Sequence, residues 1–102
     1  MVRRAAVVGA GVMGSEIAQA TAAAGVEVVL LDADPAALER GLAHVAAIGA
    51  RRVARGRMDE EEAAAVAGRI TPARKLRELK TVLALAEEWR SPQLIRYGLE
   101  QT

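Results

Sequence analysis

Arg3-Arg4-Ala5-Ala6-Val7-Val8-Gly9-Ala10-Gly11-Val12-Met13-Gly14 opens this chain, and Asp32 closes a second apolar run 18 residues after the last of those glycines. A short β-type run leads into G-x-G-x-x-G, and a helix-forming stretch follows. Each glycine has its own physical task. Gly9 lets the chain turn sharply off a strand, and Gly11 has no side chain to keep a diphosphate away from the backbone. Gly14 lets the new helix pack tightly on that strand. The free N–H groups near Val12 and Met13 then lie at the positive end of the helix dipole, where an anion is favoured. A second strand over Val26 to Asp32 puts the Asp32 carboxylate where it can grip a ribose hydroxyl pair. In this order the set is a dinucleotide-binding fingerprint, with Gly9, Ala10, Gly11, Val12, Met13, Gly14 and Asp32 as its cofactor-binding residues. The competing reading is a purely structural glycine-rich turn.

Working outward, the first strand is expected over Ala5 to Val8. A helix follows from about Met13 to Ala24, with Ile17, Ala18, Thr21 and Ala22 toward the sheet and Gly25 ending it. Asp34 caps a helix whose first residue is Pro35, the position proline favours. Leu38, Leu42, Val45, Ile48 and Val53 give that helix an apolar stripe. It is expected to run to about Arg55 and stop at Gly56. Asp59 caps a further helix, Glu60, Glu61 and Glu62 complement its N-terminal dipole, and Gly68 stops it. Arg69-Ile70-Thr71-Pro72 reads as a short edge strand, because Pro72 lacks the amide a central strand needs.

The crossover between the second and third strands takes about 37 residues, enough for a helix-turn-helix arm where one short helix would suffice. Thr81 to Ala86 reads as a fourth strand, in competition with a helix over Leu76 to Trp89. Ser91-Pro92 predicts a last short helix over Pro92 to Glu100, anchored by Trp89 and Tyr97. The expected fold is α/β: a truncated Rossmann-type parallel sheet of three to four strands, with the arm between the second and third. Residues 1–102 form one partial dinucleotide-binding domain, in which 73–102 is a divergent C-terminal segment.

Composition narrows the function. Hydrophobic residues make up 52% of the 102, yet there is one Trp, one Tyr and no Phe, so Ala, Val, Leu and Ile must build the core. A formal charge of +1 offers no electrostatic case for binding nucleic acid or a membrane surface. The absence of cysteine excludes disulfides and thiolate chemistry and suits a cytoplasmic protein. No apolar run approaches the ~20 residues of a membrane span. The acidic run Glu60 to Glu62 has no matching ligands and reads as a helix-terminal charge cluster, so no metal is expected. The one histidine, His44, lies mid-helix and reads as a half-exposed helix residue and not as a base.

The run RRAAVVGAGVMGSEIAQATAAAGVEVVLLDADPAALERGL, with the later GRMDEEEAAAVAGRITP, resembles the N-terminal domain of L-3-hydroxyacyl-CoA dehydrogenases. The G-x-G-x-M-G form, the I-A-Q after it and the I-T-P after an acidic short helix carry the likeness, which spans Val2 to about Pro72. The resemblance implies oxidation of the 3-hydroxyl of an acyl-CoA thioester by NAD, in fatty-acid degradation or related metabolism. It assigns the diphosphate to Gly9 to Gly14 and the adenosine ribose to Asp32, whose charge repels the 2′-phosphate of NADP. Laying Thr81 to Glu88 on the family's next strand puts Ala84 where the family has Glu. It also makes Glu88 coincide with an acidic residue near the family's active site, hence a cofactor-binding candidate. Arg55, grouped with Arg51, Arg52 and Arg57, falls near a basic position that holds the CoA portion of the substrate. The competing reading is a solvated basic helix end.

The family's catalytic histidine, paired with a glutamate, belongs to a later segment, and a helical C-terminal domain completes its substrate site. The chain alone is therefore expected to be inactive. Three functions follow: the NAD-binding portion of such a dehydrogenase, a non-catalytic module that senses or sequesters NAD(H), and a scaffold. A parallel sheet of three or four strands leaves an edge of unpaired amides, so a homodimer or a docked partner subunit is expected.

Overall fold

A computed structural model describes residues 4–75 and 93–96. The elements run β1 (Arg4–Val8), α1 (Val12–Ala23), β2 (Glu27–Leu31), α2 (Pro35–Ala54), α3 (Glu60–Gly68), β3 (Ile70–Ala73) and β4 (Gln93–Arg96). The four strands make one parallel sheet in the order β3-β2-β1-β4. That order is the first half of a doubly wound fold. Its direction reverses between β1 and β4, and the glycine loop leaves β1 at that switch point, where this architecture binds ligands.

Local chemistry sets most boundaries. Asp34 accepts the Ala36 N–H at 3.0 Å and Asp59 accepts the Glu62 N–H at 2.7 Å, each filling one orphan donor of the helix it opens. Gly25 and Gly56, at φ 91° and 70°, follow the C-caps of α1 and α2, a conformation that favours glycine. β3 is an edge strand, and Pro72, paired in register with Leu30, is exposed there. The arm is α2 and α3, joined through Gly56. Among the described residues, no helix is long and apolar enough to cross a membrane.

Side chains alternate across the sheet with the period of two that strands impose. Val7, Val28, Leu30 and Ile70 join Ala18 and Ala22 of α1, Leu38 and Val45 of α2 and Val66 of α3 in the main core. Ala6, Val29, Leu31 and Ala73 form a second cluster on the opposite face. On α1, Ala18 and Ala22 are buried as expected and Ile17 and Thr21 are half-buried; Gly14, Ser15 and Gln19 are buried with them.

One expectation is overturned. The helix predicted over Pro92 to Glu100 gives way at Gln93–Arg96 to strand β4, which pairs in parallel with β1 from Ala5↔Gln93 to Val8↔Arg96. Ser-Pro is a local helix-start signal, but β1 lies inside the sheet and its second edge needs a partner. Satisfying those backbone groups outweighs a cap and a proline, because an unpaired buried N–H or C=O is costly. The strand at Thr81 to Ala86, the helix competing with it and the anchors Trp89 and Tyr97 lie outside the described residues.

Candidate coenzyme site

Gly9 ends β1 at φ 105°, and its N–H donates to the Leu31 carbonyl at 2.7 Å, drawing the ends of β1 and β2 together. A Cβ on Gly14 would lie 1.9 Å from the Gly9 oxygen, so α1 reaches the strand only because residue 14 has none. Gly11 differs from both. Its backbone is extended and a Cβ there would meet nothing within 4 Å. The fold makes no steric demand for glycine at 11. The space beside it is what a diphosphate approaching the main chain requires.

Gly11 is also the N-cap of α1 and offers no side-chain cap, so among the described residues no capping side chain occupies the first-turn N–H groups, a position that favours an anion. Val12 and Met13 flank this end with exposed apolar side chains, 67% and 54% accessible. Ser15 is fully buried and turns its hydroxyl back onto the carbonyls of Gly11 and Val12, at 2.8 and 3.0 Å. It ties the loop to the first turn of the helix and lies among the residues that line the cleft beside the loop.

Asp32 is half-buried just past β2. Its Oδ2 accepts the Ala10 N–H at 2.9 Å and its Oδ1 accepts the Asp34 N–H at 2.9 Å. Each carboxylate oxygen retains a lone pair, so two hydroxyls can still be held. The donor set therefore fits a dinucleotide: open amides for a diphosphate, a gap at Gly11 for close approach and an oriented carboxylate beside them.

The sequence-predicted residues Gly9 to Gly14 and Asp32 thus come together in one place. Arg55 does not join them. It is the exposed C-cap of α2, at the far end of a 20-residue helix that spans about 30 Å. Glu88 lies outside the described residues. The arm has its own cavity of about 470 Å³ between α2 and α3, lined by small side chains such as Ala46, Ala50 and Ala64 and by Gln19 of α1.

Sequence reasoning missed the loop's second wall. Arg40, Gly41 and His44 of α2 line, together with Ala10 to Val12, a cleft of about 270 Å³. His44 is half-exposed, as expected, and its Nε2 lies 3.2 Å from Glu16 Oε1 on α1. The available signal was Gly41, a glycine in the interior of a helix, where it is disfavoured.

Residues 4–89 match the family described as 3-hydroxyacyl-CoA dehydrogenase, NAD binding domain. The chain is 37% identical over 86 residues to the fatty acid oxidation complex subunit alpha of Colwellia psychrerythraea, covering 84% of this chain but 12% of that protein. Among solved structures, the (S)-3-hydroxybutyryl-CoA dehydrogenase of Ralstonia eutropha superposes with a TM-score of 0.74 at 36% identity, over 79% of this chain and 29% of that one. FadB2 of M. tuberculosis superposes at 0.81 with 31% identity, over 97% of this chain and 32% of that one. The chain thus spans a third or less of each relative.

Proposed function

The chain belongs to the NAD-binding domain family of 3-hydroxyacyl-CoA dehydrogenases, and from that premise we propose that it forms the coenzyme-binding part of an enzyme oxidising L-3-hydroxyacyl-CoA to 3-ketoacyl-CoA. The observation that carries the reading is Gly11, where a Cβ would meet nothing within 4 Å: the fold does not require glycine there, and close approach of a diphosphate would. Bound NAD would accept the hydride from the carbinol carbon. The chain's own residues do the holding. Amides of the α1 N-terminus take the diphosphate, and the Asp32 carboxylate takes the adenosine ribose and disfavours a 2′-phosphate.

The alcohol proton needs a base. His44, the chain's one histidine, is engaged with Glu16, and we assign it no proton transfer. Turnover by this chain alone is accordingly not expected. A non-catalytic NAD(H)-binding module is the second reading, favoured by the same observation. Arg55 and the neighbouring arginines would meet phosphates of a CoA thioester through forked donors, beside the apolar cavity of the arm. Glu88 is retained as a proposed cofactor contact.

We read residues 1–102 as one partial domain with a divergent segment from 73, working in the cytoplasm. Its sheet edge would pair with a second copy or a partner subunit.

Calorimetric titration with NADH and with acetoacetyl-CoA, followed by a turnover assay, tests the function. NADH binding is expected, and its absence would remove the coenzyme reading. Turnover by the isolated chain would refute the assignment of no base. Saturable acetoacetyl-CoA binding favours the dehydrogenase part, whereas NADH binding alone favours the module.

A further inference from the structure

We propose that Gly41 is a positioning residue for coenzyme binding: α2 buttresses the glycine loop by resting directly on the main chain of Ala10. The inference rests on the coenzyme reading and adds a residue outside the fingerprint to it. A Cβ on Gly41 would lie 2.6 Å from the Ala10 oxygen, 3.0 Å from the Ala10 Cβ and 3.4 Å from the Ala10 carbonyl carbon. The obstacle is loop backbone, which cannot swing aside as a flexible side chain would. Gly49, on the same helix, would meet only the Ala63 Cβ, at 3.5 Å, an ordinary contact. Close approach is therefore specific to position 41.

Ala10 has little room to yield. It is 2% exposed, its N–H is held by Asp32 at 2.9 Å, and the preceding Gly9 is tied to Leu31 at 2.7 Å. One turn beyond Gly41, His44 meets Glu16 of α1 at 3.2 Å, which holds α2 beside the helix that the loop opens into. Adding a methyl at 41 must push α2 off the loop or tilt the Ala10 peptide. Either shift turns the amides that follow, at Val12 and Met13, away from the direction a diphosphate needs. Hydrogen bonding weakens steeply with misalignment, so a small tilt suffices.

The test uses the full 102-residue chain and three probes: NADH, ADP and adenosine. Gly41→Ala is compared with Gly49→Ala, which receives the same methyl on the same helix. Gly41→Ala is expected to keep its helical circular dichroism and to lose tenfold or more in affinity for NADH and ADP. Adenosine, held through its ribose and not its phosphates, should change less than twofold by NMR titration. Gly49→Ala should bind like the wild type. A folded Gly41→Ala that binds NADH and ADP within twofold of wild type overturns the proposal, as does equal loss for adenosine and ADP. If Gly41→Ala does not fold, Ala10→Val narrows the same contact from the loop side and is judged on the same split. Failure of the wild type to bind NADH would overturn the coenzyme reading itself, a distinct result.

Discussion

The Ala10 backbone N–H donates to Asp32 Oδ2 at 2.9 Å, across 22 residues of chain. The carboxylate assigned to the ribose therefore also holds the loop assigned to the diphosphate. Its other oxygen accepts the Asp34 N–H, linking it to the N-cap of α2. Ribose grip, loop shape and the start of the arm meet in one side chain, so a change at Asp32 acts on all three.

Replacing Asp32 by Ala is expected to weaken NADH binding by about 1–3 kcal/mol, roughly five- to 150-fold, and to lower the melting temperature without ligand. Asp32→Asn, which keeps one acceptor oxygen, should fall between. Fluorescence titration and a thermal melt read both effects. An unchanged titration for Asp32→Ala would exclude its role. NADH should bind at least tenfold more tightly than NADPH, and Asp32→Ala should narrow that gap.

Two glycines of the same loop should respond in opposite ways. Gly11→Val places its side chain in open space, so helix content should survive while NADH binding is lost. Gly14→Ala drives a Cβ into the Gly9 carbonyl and should cost about 1–3 kcal/mol of stability, as overpacking does. Circular dichroism and NADH titration on both variants distinguish them. A Gly11→Val chain that still binds would defeat the diphosphate assignment.

The cap of α3 provides a control remote from the loop. Asp59→Ala removes the acceptor of the Glu62 N–H and should cost about 1 kcal/mol. For a chain of this size that is a drop of about 4–8 °C in melting temperature. NADH affinity should not move. A loss of affinity would indicate that the arm and the coenzyme loop are coupled more strongly than their contacts suggest.

Among the described residues the sheet has β3 and β4 at its edges, and self-association through the sheet should use β4. The other edge, β3, carries Pro72, which lacks an N–H. Light scattering over a concentration series should detect association. Proline placed in turn at Leu94 and Ile95 should reduce it in at least one variant, because alternate strand residues direct their amides outward. A monomer at every concentration would discard the edge-pairing idea.

What could be read directly from the residues has a common character: its signal is local. The spacing of Gly9, Gly11 and Gly14, the caps at Asp34 and Asp59, Pro35 at a helix start and Pro72 at an edge each depend on neighbours a few positions away, and Asp32 follows at a fixed distance within the same strand-helix-strand unit. The structure puts them where those rules place them. Ser91-Pro92 obeyed the same rules and misled, because the strand at Gln93–Arg96 answers a need of β1, far off in the chain. Gly41 tells the same story, since its neighbour in space is Ala10, 31 residues earlier.

The order of residues alone determined that a strand turns through glycines into a helix and that an acid waits beside the turn. Only the folded arrangement decided which segment pairs with the second side of β1 and which helix face presses on the loop. Turn, cap and helix preferences are properties of a few consecutive peptides. Pairing of a buried strand edge and exclusion of a Cβ by a distant carbonyl exist only once the chain has folded back on itself.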